Sequence, residues 1–243
     1  KYFINESEVL FALQHPCIIQ IHGFNSGDEH NSPSMLLSLE KQSLEDAIRK
    51  NSLNNMTKSQ VAVEIAIGMQ FVHSRNYIHR DLKPSNILLS EDNHARISDF
   101  GLTREISFQE SLTIGVGTLR FMAPELMCDD NDHYTNSIDI YAFGVILFFI
   151  VAGNYPPYNM KNLMAGILPP MPSSMAEWVK DLITSCLSIE AKDRPTFAEI
   201  LDIMKSHNYN LFSDETTLSS IGKAILQSIQ QRINTIRAYE FQI

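Results

Sequence analysis

Acidic, amide and basic side chains that could do chemistry lie close together in one stretch of the sequence. The run His79-Arg80-Asp81-Leu82-Lys83-Pro84-Ser85-Asn86 is followed by Asp99-Phe100-Gly101 and then by Ala123-Pro124-Glu125. Asp81, Asn86 and Asp99 carry the hard oxygen ligands that Mg²⁺ prefers, and Lys83 adds a cation beside them. Either of the first two motifs alone could be an ordinary turn, but the ordered set of three is improbable by chance.

These motifs, in this order, resemble the catalytic loop, the DFG motif and the APE motif of eukaryotic protein kinases. Within that superfamily the chain looks most like the tyrosine-kinase-like group of serine/threonine kinases. The resemblance implies transfer of the γ-phosphoryl group of ATP, with Mg²⁺, to Ser or Thr hydroxyls of protein substrates. It implies Asp81 as the catalytic base, Asn86 and Asp99 as magnesium ligands, and Lys83 beside the transferred group. Lys83 and Thr118 resemble serine/threonine kinases more than tyrosine kinases.

The same resemblance assigns nucleotide contacts and regulation. Glu6 stands where the family has the αC glutamate that pairs with a strand lysine; otherwise it would be an ordinary solvated carboxylate. Arg80 suggests control by phosphorylation, because an arginine can pair with a phosphate. The candidate acceptors are Thr103, Ser107, Ser111 and Thr113, of which Ser111 and Thr113 are preferred, unless this is simply a polar loop. The expected nucleotide-binding set is Glu6, Lys83, Ser85, Asn86, Leu88 and Asp99.

Other matching positions are structural by the same resemblance. Asp139 is similar to the αF aspartate that anchors the catalytic loop from below, and an acid at the edge of such an apolar stretch needs hydrogen-bond partners. Glu125 and Arg194 resemble an ion pair between the APE segment and the late helices. His79 and Phe100 are implied to stack with Leu10 as a regulatory spine, and simple core packing is the alternative for Leu10.

Two parts of the family pattern are missing. Gly115-Val116-Gly117 begins like a glycine-rich loop but is followed by Arg120, and the only lysine before Glu6 is Lys1. Because the chain starts with lysine rather than methionine, we expect an excised or incomplete segment. Two explanations stay open: a truncated part of an active kinase, or a kinase-like binding module or pseudokinase that acts as a scaffold. Retention of all four catalytic-type residues favours the first.

The elements that must position these motifs run from a few strands at the front to helices at the back, an α+β order, and the resemblance implies that this is the protein-kinase fold. It would comprise a partial N-lobe of αC and two strands over residues 1–40, a complete and mainly helical C-lobe over 41–207, and a tail over 208–243 with an extra helix. The predicted elements are helix 4–13, strands 17–24 and 34–39, a helix after the cap Ser43, a helix after a capping box at Thr57 to Gln60, strands 87–89 and 95–97, and helices 135–152, 175–187 and 196–205.

The tail has a pattern of its own. Apolar residues recur there at intervals of three or four, which predicts one apolar stripe on a polar helix. This helix would dock on its own domain, or be offered to a protein partner or a coiled coil. The stripe consists of Leu218, Ile221, Ile225, Ile229, Ile233 and Ile236.

Composition excludes several classes. A chain of 243 residues that is 44% hydrophobic is not mainly disordered, and a net charge of −9 disfavours nucleic acid and anionic membranes. The apolar run from Ile140 to Gly153 is shorter than the roughly 20 residues of a membrane span. Cys17, Cys128 and Cys186 form no metal or disulfide pattern, which fits a reducing compartment, so we expect a cytoplasmic protein. The expected partners are ATP and a protein substrate, without nucleic acid or membrane.

Overall fold

The structure is a computed structural model that describes most of the chain. It describes residues 2–27, 31–105, 119–127, 135–157, 162, 165, 167–212, 223, 224, 227, 230, 231 and 234.

The front of the chain is one helix and a small antiparallel sheet. Helix α1 spans Tyr2–Ala12, and strands β1, Ile21–Asn25, and β2, Ser34–Leu37, pair with each other. The helix ends before His15-Pro16, as predicted from the restriction that proline places on the preceding residue. Leu10 on α1 is fully buried. The predicted order of one helix followed by two strands at the front of the chain is therefore confirmed.

Short strands follow, and they frame the motifs identified above. Strand β3, Gln42–Ser43, leads into helix α2, Leu44–Arg49, and the Ser43 hydroxyl caps that helix by accepting the Asp46 amide, as expected. Strands β5, Ile87–Leu89, and β6, Ala95–Ile97, lie where the sequence predicts them and form a three-stranded sheet with β3. Strand β4, Tyr77–Ile78, pairs with β7, Arg104–Glu105.

The long helix α3 spans Asn55–Ser74 and begins earlier than its predicted capping box. The prediction placed the cap at Thr57, and this is wrong. Asn54 is the cap residue, because its side-chain oxygen accepts the Thr57 amide at 2.8 Å and also lies 3.1 Å from the Thr57 hydroxyl. Asparagine and threonine both cap helices, so sequence alone did not separate two candidates three residues apart.

The back of the chain is helical, also as predicted. Helix α4 spans Ser137–Ala152, and Gly153 ends it in the left-handed conformation with φ 76°. Helix α5 spans Glu177–Cys186 and α6 spans Phe197–Ser206, which begins with a capping box between Thr196 and Glu199. Helix α4 packs against α3 and α5, while α6 packs on α3. No helix in the described part of the chain is long and apolar enough to cross a bilayer.

Backbone hydrogen bonds join the front to the back. The Ile97 amide on β6 donates to the Cys17 carbonyl at 2.8 Å, and the Ile19 amide donates to the Ile97 carbonyl at 2.9 Å. Gly68 of α3 lies directly beneath this junction, since an added Cβ would stand 2.7 Å from Ile97 Cδ1 and 3.0 Å from Cys17 Cβ. The segment that follows α1 is therefore fixed against both β6 and α3.

Residues 207–212 continue the fold beyond α6. Leu211 is fully buried, and its amide donates to the Ser59 hydroxyl on α3 at 3.2 Å. Trp178 on α5 stacks on His207 with ring centroids 4.6 Å apart. The described positions from 223 to 234 are helical and exposed. All six residues of the predicted apolar stripe lie outside the described residues, so the docking of the tail stays a prediction.

The close contact between α4 and α5 gives a stability prediction. A Cβ on Gly144 would lie 2.7 Å from Cys186 Cβ and 3.1 Å from Leu187 Cδ2. Alanine gains about 1 kcal/mol of helix propensity over glycine, while overpacking costs about 1–3 kcal/mol, and here the neighbour is a rigid Cβ atom. We expect Gly144→Ala to lower the free energy of unfolding, measured by urea denaturation.

Gly23 is the matched control, because no atom lies within 4 Å of the Cβ that alanine would add there. Gly23→Ala should leave the free energy of unfolding unchanged or raise it by up to about 1 kcal/mol, because alanine restricts the unfolded chain more than glycine and meets no clash here. Equal effects of the two substitutions would contradict the close packing of α4 on α5.

Candidate active site

A buried carboxylate at the start of α4 holds the backbone of the 79–86 loop. Asp139 is 1% exposed. Its Oδ2 accepts the His79 amide at 2.9 Å, and its Oδ1 accepts the Arg80 amide at 3.0 Å. His73, on the last turn of α3, adds a third contact through Nε2 at 2.9 Å from Oδ2. Asp139 therefore joins two helices to the loop.

The pKa of Asp139 is lower than that of an ordinary aspartate. Burial alone would raise this pKa, since it penalises the charged form. The hydrogen bond and the charge interaction with His73, together with the hydrogen bond from the His79 backbone amide, outweigh burial and lower it. Asp139 is therefore held as a carboxylate, the form that accepts all these donors. The need for partners was predictable, but His73, in the last turn of α3, was missed because it lies 66 residues from Asp139 along the chain.

Two loop residues have a backbone conformation that is unusual for residues other than glycine. Arg80 has φ 71° and Asp99 has φ 63°, both in the left-handed region. Such conformations persist only where the surroundings determine them, and they cluster at functional sites. For Arg80 the determining contact is the bond from its amide to Asp139.

Asp81 is the centre of a small polar cluster in the loop. It is 6% exposed, and its Oδ2 accepts Lys83 Nζ at 2.5 Å and Asn86 Nδ2 at 3.0 Å. Asn86 Nδ2 also donates to the Asp81 carbonyl at 2.9 Å. With its amide nitrogen committed to Asp81, Asn86 presents its side-chain oxygen as the atom that could bind a cation.

His79 connects the loop to the Asp99-Phe100-Gly101 segment. Its Nδ1 accepts the Asp81 amide at 3.3 Å, so Nε2 is the protonated nitrogen and donates to the Ser98 carbonyl at 3.1 Å. The His79 and Phe100 rings lie 4.8 Å apart, and both residues are fully buried. Leu10 of α1 and Phe100 belong to the same buried hydrophobic cluster, so His79 contacts that cluster through the Phe100 ring.

Asp99 and Glu6 bring two carboxylates to the opening of the site. Asp99 is exposed, and Glu6 on α1 is half-buried. A Cβ on Gly101 would lie 3.5 Å from Asp99 Oδ1 and 3.8 Å from Glu6 Oε2, so these groups flank the glycine. Burial and the negative charge of Asp99 raise the pKa of Glu6, while a hydrogen bond from the Phe100 amide opposes them. Within the described part of the chain, Glu6 has no lysine partner.

The remaining expected residues have different positions. Leu88 is half-buried on β5, two residues beyond the turn that holds Ser85, which is also half-buried. Thr103 is fully buried, and its hydroxyl donates to the His79 carbonyl at 3.5 Å, so it is a poor phosphate acceptor in this conformation. Ser111, Thr113 and Thr118 lie outside the described residues, as do Ser107 and the glycine pair at 115 and 117.

Arg194 and Glu125 form a buried ion pair below the site. Arg194 Nη1 and Nη2 donate to the two oxygens of Glu125 at 2.6 and 2.7 Å, a bidentate arrangement. The Arg194 side chain has no exposed surface, and its other donors bind the carbonyls of Ser188, Ile189 and Ser137. Removing one partner of such a pair leaves a buried charge and costs about 3–5 kcal/mol. The pair therefore ties Pro124–Met127, the 3-10 turn that carries Glu125, to the segment between α5 and α6.

The site fits a magnesium ion only together with phosphates. Asn86 and Asp99 offer an amide oxygen and a carboxylate, and Mg²⁺ is commonly held by one or two carboxylates, with substrate phosphates and water completing the shell. Among the described residues, no cluster of three or more His, Cys, Asp or Glu could hold a metal unaided. The donor set is therefore suited to a metal–nucleotide complex rather than to a resident metal.

Comparison with known proteins identifies the family of this chain. Residues 1–206 match the family described as protein kinase domain. The chain is 30% identical over 219 residues to a probable serine/threonine-protein kinase of Dictyostelium discoideum, covering 84% of this chain and 13% of that protein. A probable LIM domain-containing serine/threonine-protein kinase of the same organism is 31% identical over 210 residues, covering 83% of this chain and 32% of that protein.

The chain is also similar to a protein kinase from a plant. The serine/threonine/tyrosine-protein kinase HT1 of Arabidopsis thaliana is 28% identical over 197 residues, covering 76% of this chain and 50% of that protein. The chain therefore spans half or less of the length of these three relatives. The family match covers α1, every described strand, and the helices through α6. This chain belongs to the protein kinase domain family.

Proposed function

We propose that this chain carries the phosphoryl-transfer site of a protein serine/threonine kinase that uses ATP. The observation that supports this most is the convergence of Lys83 and Asn86 on Oδ2 of the buried Asp81. Relatives named as serine/threonine kinases support the substrate class. Membership of the tyrosine-kinase-like group stays a prediction.

Asp81 is the proposed catalytic base. A carboxylate that is fixed by two donors at one oxygen can accept the proton of an incoming hydroxyl as the oxygen attacks the γ-phosphorus. Lys83 lies 2.5 Å from that carboxylate and adds positive charge where the phosphoryl group would pass. Because phosphoryl transfer needs mainly positioning and charge stabilisation, these two side chains cover much of what the protein must supply.

Asn86 and Asp99 are the proposed magnesium ligands. The ion would enter with ATP and neutralise the charge of its phosphates. The Ser98 amide and hydroxyl both donate to the Asn86 carbonyl, at 2.8 and 2.9 Å, so the segment before Asp99 is tied to the loop that holds Asn86. Ser85 and Leu88 are proposed to contact the nucleotide from the same loop and strand.

Asp139 is proposed as a positioning residue. It touches neither nucleotide nor substrate, but it holds the amides of His79 and Arg80, directly before Asp81. Those bonds fix the direction in which the chain enters the polar cluster. A misplacement of about 1 Å at a reacting group can lower the rate a hundredfold, so this anchoring bears directly on catalysis.

A kinase-like binding module is the second candidate, and one observation favours it. Glu6 lies beside Asp99 without a lysine partner in the described part of the chain, so two carboxylates face the region that triphosphate would occupy. Uncompensated negative charge there opposes nucleotide binding. We therefore expect this chain alone to bind Mg-ATP weakly. A cation supplied from outside these residues would offset the negative charge and strengthen the binding.

Regulation, partners and location remain predictions. Phosphate on Ser111 or Thr113 is proposed to order the segment before Thr118 through Arg80. The proposed cytoplasmic location rests on the cysteine pattern, in which Cys17 and Cys186 are buried and form no disulfide within the described part of the chain. Burial raises the pKa of Cys186 to about 12, despite the opposing charge of Arg194, so this thiol stays protonated and structural.

Replacing the proposed base tests the enzyme directly. In the longest natural polypeptide that carries these residues, Asp81→Asn should lower the rate of phosphate transfer from ATP to Ser/Thr peptides by about 10²–10⁴-fold, the usual contribution of general-base catalysis. Asp92→Asn, at an exposed turn, is the matched control and should leave the rate unchanged. Transfer that survives in Asp81→Asn would contradict the proposed role. A folded wild-type protein that transfers no phosphate would favour the binding module.

Replacing the anchor tests the positioning role through stability. Asp139→Asn should lower the free energy of unfolding at neutral pH by about 1–3 kcal/mol, because an amide cannot accept every donor that the carboxylate accepts. The folded-state pKa of Asp139 lies below the ordinary aspartate value, so its contribution is present above that value and is lost as pH falls through the folded-state pKa. The difference between wild type and variant should therefore shrink in acid.

Urea denaturation at neutral pH and at successively lower pH values measures this difference. Asp181→Asn, at an exposed position of α5, is the control and should change stability by less than about 0.5 kcal/mol. A deficit in Asp139→Asn that stays constant across the acid range would contradict the assignment of a carboxylate at this position.

A further inference from the structure

Tyr155, just beyond the end of α4, is fixed from several directions. Its ring stacks on Phe149 with centroids 4.3 Å apart and an interplanar angle of 14°, and it meets Phe121 edge-on at 5.7 Å. Its hydroxyl is hydrogen-bonded to Glu45 on α2. Burial and the charge of Glu45 raise the pKa of Tyr155 to about 12, so the phenol stays neutral near pH 7. The ring is therefore a rigid, uncharged platform.

Arg120 lies over this platform. Its guanidinium carbon is 4.4 Å from the centre of the Tyr155 ring, and because Phe149 covers one face of the ring, Arg120 lies over the other. Arg120 is exposed, and no carboxylate in the described part of the chain pairs with it. A guanidinium that lies over an aromatic face keeps its N–H donors at its edge, where they match a carboxylate or phosphate in two parallel bonds.

The second arginine of the cluster is already paired. Arg49 donates to Glu45 Oε1 through Nη2 at 2.8 Å and through Nε at 3.1 Å, and its guanidinium carbon is 5.7 Å from the Tyr155 ring centre. The charges of Glu45, Arg49 and Arg120 sum to +1, within a chain of net charge −9. The cluster therefore leaves one unpaired positive charge, at Arg120, for a ligand.

The cluster borders the proposed catalytic loop. Helix α2, which carries Glu45 and Arg49, packs against the Pro84–Asn86 turn of that loop. Arg120 belongs to the short 3-10 segment Leu119–Phe121, which packs on α4 and follows Thr118 directly. A polypeptide that brings a hydroxyl to Asp81 must run over the elements that border the loop. An exposed arginine on one of those elements can contact a residue that flanks the hydroxyl.

We propose that Arg120, stacked on Tyr155, binds an anionic side chain of the protein substrate next to the phosphorylated residue. This rests on the proposed kinase function and deepens it by naming a specificity determinant. The ligand is a carboxylate or a phosphate, since both fit the edge of a guanidinium. The substrate preference at that flanking position is then for Asp, Glu or phosphoserine over a neutral residue.

Paired peptides test this preference in two assays. Each flanking position in turn carries Glu or Gln, or phosphoserine or Ser, and both binding by fluorescence polarisation and phosphate transfer are measured. We expect one position to favour the anion by roughly two- to fivefold, the range for a single ion pair at an exposed site. Comparison of the Glu and phosphoserine sets distinguishes the two sources of anion.

Arg120→Gln should remove this preference and leave the neutral peptides unaffected. Arg75→Gln is the matched control, because Arg75 also lies over a ring, 5.1 Å from Phe71, at the end of α3. That variant should keep the preference. Tyr155→Phe retains the platform and should keep most of it, whereas Tyr155→Ala should lose it even though Arg120 remains. Arg120→Lys keeps the charge without the planar edge and should be intermediate.

The outcomes separate this proposal from the proposed kinase function. Phosphate transfer without a preference for the anion, or with a preference that Arg120→Gln leaves intact, would overturn the role of Arg120 alone. A loss in Arg120→Gln that is equal for neutral and anionic peptides would also overturn it, since Arg120 would then serve the chain's own structure. Binding that depends on the anion and on Arg120, without transfer to any peptide, would support the site and refute the kinase activity.

Discussion

The hydrogen bonds that Asp139 accepts are the constraint on which the rest of the site depends. The carboxylate lies in α4, one of its donors is on α3, and the other two are amides of the 79–86 loop. A buried carboxylate without hydrogen-bond donors is strongly unfavourable. If the loop moved away, Asp139 would lose the two amide donors of His79 and Arg80 while its charge stayed buried. Through these hydrogen bonds, the buried helix α4 fixes the position of the loop that carries Asp81.

A second constraint is the balance of charge at the opening of the site. Among the residues proposed to surround the phosphates, Glu6, Asp81 and Asp99 are acidic and Lys83 is the one cation. Lys83 is already paired with Asp81, and the negative charge of Asp99 raises the pKa of Glu6. Triphosphate adds further negative charge, which magnesium and an additional lysine would offset. The geometry of the loop and its ability to hold a nucleotide are therefore separate properties.

Local sequence patterns predicted most helices and strands, whereas they did not predict contacts between residues far apart in the sequence. Strands β5 and β6 and the end of α4 at Gly153 follow from a few adjacent residues, and they lie where expected. The cap of α3 was misplaced, because neighbouring residues compete for the same role and only the folded backbone decides. His73 and the Tyr155 cluster were missed for another reason. Their partners lie far away along the chain, so no spacing rule brings them together.

The ion pairs of this chain illustrate why similar pairs have different consequences. Arg194 is fully buried and donates to Glu125 and three carbonyls, so it fixes structure and has no donor left for a ligand. Lys83 is partly exposed beside Asp81, where we propose that its charge acts on the transferred phosphoryl group. Arg120 is exposed and lies over the Tyr155 ring, and it has no carboxylate partner within the described part of the chain. A cation can bind a substrate only through N–H donors that the fold has not already used. Among these three side chains, Arg120 has the most donors left for a ligand.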